Sequence, residues 1–231
     1  IKRYLQPTKQ IPLDGVVKKT ALEITTKAGA QDSLQKARAI YDWIISNVSY
    51  DTKVRGQGKG DIVSMLTKEQ LDGRCVDIHA LFVGLARASG IPARQQFGIR
   101  INDSILNQHL GKFGDVSSSQ HCRAEFYLAG FGWVPVDPAD VAQVMALDIL
   151  PHDHELIEQI KDRLFGSWEM NWVAFNRVEG MDLGKTSTIG RLPFFFYPHA
   201  EIDGKPQDSF DPQAFSYKIT SALLVGTGAK L

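Results

Sequence analysis

Two cysteines in a chain of 231 residues cannot build a disulfide framework, so a packed core has to hold this fold together. Long apolar runs are missing as well. The stretch from Leu192 to Tyr197 is among the longest and is far too short to cross a bilayer, so no integral membrane segment is expected. Nor is there an excess of charge of either sign. Twenty-six Lys and Arg balance twenty-six Asp and Glu, which excludes the one-sided field that draws in nucleic acid or an anionic membrane. What remains is an ordinary globular composition, 43% hydrophobic and 23% charged, long enough for one domain of generous size.

Helical patterning fills the first part of the chain. A weak helix is expected around Val16 to Lys27. A stronger one follows Asp32-Ser33-Leu34-Gln35, which reads as a capping box. After it Ala37, Ile40, Tyr41, Ile44, Ile45 and Val48 recur at three- and four-residue steps, the apolar stripe of an amphipathic helix. Arg55 to Asp61 places three glycines at alternate positions. It has neither the Walker nor the dinucleotide spacing, so it reads as a surface loop rather than a phosphate cradle.

A second strong helix runs from Cys75 to Ser89, stopped by Gly90 and Pro92. A strand is expected over Ala93 to Ile101, then a polar loop to Gln120. From His121 to Leu128 the period becomes two, the glycines of Ala129-Gly130-Phe131-Gly132 make a hairpin turn, and Trp133 to Val136 returns as the partner strand. Helices first and antiparallel strands after them predict an α+β fold.

Cys75 is the residue of chemical interest. A thiol becomes a useful nucleophile only as a thiolate, which the N-terminal end of a helix and a neighbouring imidazole both favour. His121 opens one hairpin strand and Asp137 closes the other, at the same end of the ribbon. A carboxylate there can accept a hydrogen bond from one ring N–H and turn the other nitrogen toward Cys75, a Cys-His-Asp proposal drawn from three segments.

The stretches "DGRCVDIHALFVGLARASGIPAR" and "HCRAEFYLAGFGWVPVDPAD" together resemble the Cys-helix, His-strand and Asp-Pro motifs of the transglutaminase-like superfamily, with "ARAIYDWIISNVSYD" fitting the preceding helix. The resemblance covers roughly the first 140 residues. It implies a papain-like architecture in which a helix presents Cys75 against an antiparallel sheet carrying the base His121 and the orienting acid Asp137. It further implies a bacterial cysteine enzyme that acts on protein or peptide substrates through a thioester, as protease, amidase or transglutaminase, with no cofactor. The superfamily's frequent export, together with a first residue that is Ile1 rather than Met, leans toward a periplasmic or secreted protein. The whole of 1–231 is expected to be one domain: 1–140 holds the helices and the catalytic hairpin, and 141–231 adds strands to the same domain, read from Leu192 to Ile202, an Asp203-Gly204 turn and the alternation at Phe215, Tyr217 and Ile219.

Other residues carry weaker expectations. The backbone N–H of Cys75 is one oxyanion donor, and Gln70, five residues upstream, is a second candidate. Trp168, Asn171 and Trp172 are candidates for a substrate cleft, against core packing of the tryptophans. Cys122, where the superfamily commonly has Ala, is expected to point away from the face of His121 as a neutral packed thiol. His79, one turn beyond Cys75, is expected to pack or hydrogen-bond, and Asp77 to serve helix-start electrostatics. A zinc set from Cys75, His79, His121 and Cys122 has no familiar spacing, and His152 with His154 reads as surface loop, so no metal is assigned. A catalytically silent peptide-binding module of the same fold and a zinc protein are the rival readings.

Overall fold

The computed structural model of the protein describes residues 1–68 and 71–224. The N-terminal helices form where the periodicity places them. Helix α1 covers Gly15–Lys27 and α2 covers Ser33–Asn47. The capping box is present: Gln35 donates its backbone N–H to Asp32 Oδ1 at 2.8 Å, and the Gln35 side chain accepts from the Asp32 N–H. A two-residue strand β1 (Ser49–Tyr50) pairs in parallel with β2 (Asp72–Gly73), and the short helix α3 (Ile62–Leu66) lies between them. That pairing anchors the chain immediately before Cys75.

Helix α4, Cys75–Ala88, is the centre of the molecule. Apart from Asp77 and Ala88 its residues are buried, because α1, α2 and α3 pack on one side and the sheet on the other. An all-round apolar surface such as Ile78, Leu81, Phe82 and Leu85 is what a helix enclosed on every side requires. Gly90 ends it in the left-handed region at φ 82°, the conformation that glycine enters without steric cost.

The sheet has the strand order β5-β4-β3-β6, from β3 (Ala93–Arg100), β4 (Gln120–Leu128), β5 (Gly132–Val136) and β6 (Trp172–Asn176), with every pairing antiparallel. The α+β expectation and the β4–β5 hairpin hold. The polar loop before β4 contains a single 3-10 turn, Gln108–Leu110. Two helices go beyond the sequence reading: α5 (Pro138–Asp148) and α6 (Glu155–Arg163). Asp137-Pro138 reads as a strand end, and it is also a helix start, with Asp137 as N-cap and Pro138 in the first turn, where the missing N–H costs nothing.

Residues beyond 141 do add strands, and among the described residues one of them joins the four-stranded sheet. The strand that extends the sheet is β6, which carries Trp172, one of the proposed cleft residues. Strands β7 (Glu179–Asp182) and β8 (Arg191–Phe194) pair only with each other, as do β9 (Glu201–Ile202) and β10 (Lys205–Pro206). Phe215 to Ile219 forms no strand and instead holds the loop before β4, through Val116 N–H to Ile219 O at 2.9 Å and a bridge between Asp115 and Thr220. Alternating aromatics signal an extended chain but not its partner.

Gly98 on β3 explains how β6 comes so close. A Cβ there would run into the Val173 carbonyl and the Trp172 indole, so only glycine leaves room for that ring across the strand. Gly98→Ala should therefore destabilise the protein by about 1–3 kcal/mol in urea unfolding. Leu22→Ala, at a side chain 65% exposed, should stay within about 0.5 kcal/mol of the parent.

Candidate active site

Four elements converge on one buried cluster. Cys75 is the first residue of α4, His121 and Cys122 are the second and third of β4, and Asp137 sits at the junction of β5 and α5. The register of the hairpin accounts for part of this: Ala124 pairs with Val136, which brings Asp137 level with Arg123 and within reach of His121. Cys75, His79, Asp137 and Cys122 are wholly buried and His121 is 2% exposed.

The strongest contact joins His121 to Asp137. Nε2 of His121 donates to Asp137 Oδ2 at 2.8 Å and also lies 3.2 Å from Asp140 Oδ1. With Nε2 engaged, Nδ1 is the nitrogen left for other chemistry. Asp137 also accepts from the Asp140 backbone N–H at 3.0 Å, and Arg123 Nε approaches its Oδ2 to 3.3 Å without hydrogen-bond geometry. Burial disfavours this carboxylate, but the charges of His121 and His79 and their hydrogen bonds outweigh it and hold the group well below the ordinary carboxylate range. Asp140 goes the other way: burial raises it, despite its ion pair with Arg100. Burial, then the positive charge of Arg100, lowers His121, which favours its neutral form.

Around the thiol the balance favours ionisation. Burial raises Cys75, but a hydrogen bond from the Cys122 thiol, the charge of His79 and the Cys122 backbone N–H together bring it below an ordinary cysteine. Cys122 is pushed well above its ordinary value by burial and by the neighbouring sulfur, so it is a neutral thiol as expected. Its surroundings are not inert packing, however. Alternation turns Cys122 from the face of His121 toward Cys75 and to 3.3 Å from His79 Nδ1.

The glycine loop of residues 55–61 belongs to this site as structure. Asp77 accepts from the backbone N–H groups of Lys59 and Gly60, each at 2.8 Å, and from that of Arg74 at 3.1 Å. A Cβ at Gly58 would strike the Asp77 carboxylate, which is the reason for glycine there. Asp77 is thus a clamp for the loop as well as an acid in the first helical turn.

A cavity of about 580 Å³ lies beside the cluster. Its lining includes Arg74 and Gln120, which immediately precede Cys75 and His121, with Gln57, Tyr197, Phe210 and Tyr217 around them. The outer wall is residues 209–217, held by the ion pair between Arg55 and Asp208 and by Phe210 packed edge-on to Tyr197 at 4.6 Å between ring centres. Trp168, Asn171 and Trp172 do not line this cavity. Trp172 donates to the His121 carbonyl at 2.8 Å and Trp168 to the Val136 carbonyl at 3.1 Å, so both brace the sheet around His121, while Asn171 donates to the Leu110 carbonyl at 3.0 Å and holds the 3-10 turn. Arg123 lies over the Trp172 ring at 4.9 Å. Gln70 lies outside the described residues. His154 caps α6 by accepting from the Leu156 N–H.

The sequence reading passed over Arg100, Arg123 and Asp140. The Asp-Pro-Ala-Asp run, which places Asp140 in the first turn of a helix capped by Asp137, was the available signal for the last. Ligand atoms of His121, Asp137 and Asp140 come within 4.8 Å of one another among the described residues. Their negative charge is already opposed by Arg100 and Arg123, which suits an ion-pair network better than a cation site. None of the described helices is long and apolar enough to cross a membrane.

Residues 18–138 match the model of the transglutaminase-like superfamily, and the chain belongs to that superfamily. An uncharacterized protein of Haemophilus influenzae is 42% identical over 97% of this chain and 63% of its own length, so the chain spans less than two thirds of that relative. Among solved structures, the periplasmic domain of TgpA from Pseudomonas aeruginosa is similar at 21% identity and a TM-score of 0.44, over 68% of this chain and 51% of that one. Red sea bream transglutaminase is similar at 17% identity and a TM-score of 0.38, over 53% of this chain and 26% of that one.

The direction of the Asp137 shift has a consequence for stability. A carboxyl whose folded value is depressed stabilises fully above its unfolded value, about 3.9, and loses that contribution as pH falls from there through the folded value. Urea unfolding at successive pH values below about 4 should show the parent losing stability more steeply than Asp137→Asn. Equal slopes would mean that the buried carboxylate does not carry the link.

Proposed function

We propose that the chain is a cysteine-dependent acyl-transfer enzyme in which Cys75 is the nucleophile, His121 the general base and acid, and Asp137 the group that orients His121. The observation that carries this is the 2.8 Å bond from His121 Nε2 to Asp137, which leaves Nδ1 outside the carboxylate contact, with Cys75 at the start of α4. The lowered Cys75 thiol and the lowered His121 imidazole support it, since one gives up a proton readily and the other stands neutral to receive it.

The substrate is a protein or peptide carboxamide or peptide bond entering through the cavity beside Arg74 and Gln120. As Cys75 Sγ bonds to the carbonyl carbon, its proton passes to His121 Nδ1. The carbonyl oxygen takes the electron pair, and the backbone N–H of Cys75, which makes no backbone hydrogen bond among the described residues, is a donor available to it; Gln70 remains a candidate for the second. The C–N bond then breaks, and the leaving nitrogen takes the proton from His121 to give a thioester. Water, activated by His121, releases an acid; an amine in its place gives a new amide. Either way the C–S bond breaks and the sulfur recovers its proton.

Complete burial of Cys75 is the observation that favours the second reading, a silent peptide-binding module of the same fold. Intact-mass analysis after incubation with a peptide library separates the two. The parent protein should accumulate a thioester adduct on Cys75. Cys75→Ala should form none, and His121→Ala should lower kcat/KM by about 10²–10⁴-fold. Full turnover by Cys75→Ala would overturn the enzyme reading.

A further inference from the structure

His79 occupies a position that the proposed mechanism leaves unused. Its ring stands between the nucleophile's helix and the acid: Nδ1 is 2.8 Å from the Cys75 carbonyl oxygen, and Nε2 is 3.1 Å from Asp137 Oδ1. The two imidazoles thus share one carboxylate, His121 on Oδ2 and His79 on Oδ1, with ring centres 5.8 Å apart and the planes nearly perpendicular. A carbonyl oxygen can only accept, so Nδ1 has to carry a proton to bond it. An ionised carboxylate can only accept as well, so Nε2 has to carry the other. A singly protonated ring would leave one nitrogen lone pair facing an oxygen at hydrogen-bond distance in a fully buried site, which is costly.

On the assumption that Cys75 and His121 act as proposed above, we infer that His79 is a positioning residue of fixed positive charge, which ties the start of α4 to Asp137 and stabilises the Cys75 thiolate while His121 exchanges the proton. The division of labour follows from the contacts. His79 has both nitrogens committed to fixed partners on the protein, whereas His121 keeps one nitrogen outside the carboxylate contact. The thiolate is formed beside a cation that does not have to give up its proton in the reaction. Cys122 completes the arrangement, since its neutral thiol meets both His79 Nδ1 and the Cys75 sulfur.

The titratable and charged groups on and around this ring come from several elements. Cys75 belongs to α4, Cys122, His121 and Arg123 to β4, and Asp137 and Asp140 to the start of α5. Farther out, Arg100 on β3 pairs with Asp140, Tyr41 on α2 feels the charge of Asp137, and Tyr50 on β1 and Tyr197 after β8 feel that of Cys75. The arginines oppose a positive His79 and the two aspartates support it. Asp137 is the one that touches it.

The test needs no substrate. The ultraviolet absorbance of the Cys75 thiolate, taken as the difference from Cys75→Ala, is followed against pH in the parent and in His79→Gln. Gln can still donate to Asp137 but carries no charge. The thiolate midpoint should rise by about one pH unit or more in His79→Gln, and His79→Leu should show the same rise. An unchanged midpoint in both variants would overturn the inference. Ring ¹⁵N resonances of the parent keep the question open to refutation even where the variants fail to fold. At neutral pH His79 should show two protonated-type nitrogens, and a neutral, singly protonated ring would overturn the inference. Turnover that survives Cys75→Ala would overturn the proposed function instead and leave both readouts of His79 interpretable.

Discussion

A carboxylate with no solvent exposure has to be compensated, and the compensation of Asp137 organises this molecule. His121 from β4, His79 from α4 and the first turn of α5 all direct hydrogen bonds at its two oxygens. Each partner belongs to a different element. The carboxylate therefore fixes where the helix bearing Cys75 stands relative to the strand bearing His121. Arg100 and Asp140 form a second ion pair alongside, which keeps the charges of the cluster nearly in balance.

The packing serves that placement. Enclosed by helices on one side and sheet on the other, α4 cannot slide without exposing Leu81, Phe82 and Leu85. Its start is held by the parallel pair β1–β2 and by Asp77 gripping the glycine loop. On the far side of the sheet, Trp172 reaches across Gly98 to hold the His121 carbonyl, so His121 is anchored through its backbone as well as its ring. Aromatics that sequence composition offered as cleft walls work here as scaffolding for the strand. The cavity beside the cluster is lined instead by loop residues and by the segment containing Phe210 and Tyr217.

Much of the local structure was legible before any coordinates. Asp32 with Gln35 marks a helix start, Gly90 with Pro92 a helix end, and Gly130 with Gly132 a hairpin, because each is a local steric or hydrogen-bonding requirement. Pro138 was harder to read. A proline closes a strand and opens a helix with equal ease, and only the N-cap bond from Asp137 to the Asp140 N–H tells the two apart. The alternation at Phe215, Tyr217 and Ile219 announced an extended segment, but the partner of an extended segment is a tertiary matter.

What the sequence determined by itself was the main helices, the β4–β5 hairpin and the family, through periodicity, turn residues and the paired motifs around Cys75 and His121. The tertiary structure alone decided how charges are shared within the cluster. Nothing in a four-residue spacing distinguishes a packed His79 from one with both nitrogens bonded, because its second partner, Asp137, lies 58 residues away along the chain. The same holds for Cys122, whose meeting with Cys75 depends on the register of β4 against the helix. Local patterns arise from the geometry of a few consecutive residues; burial, pairing and protonation depend on every element that closes around a group.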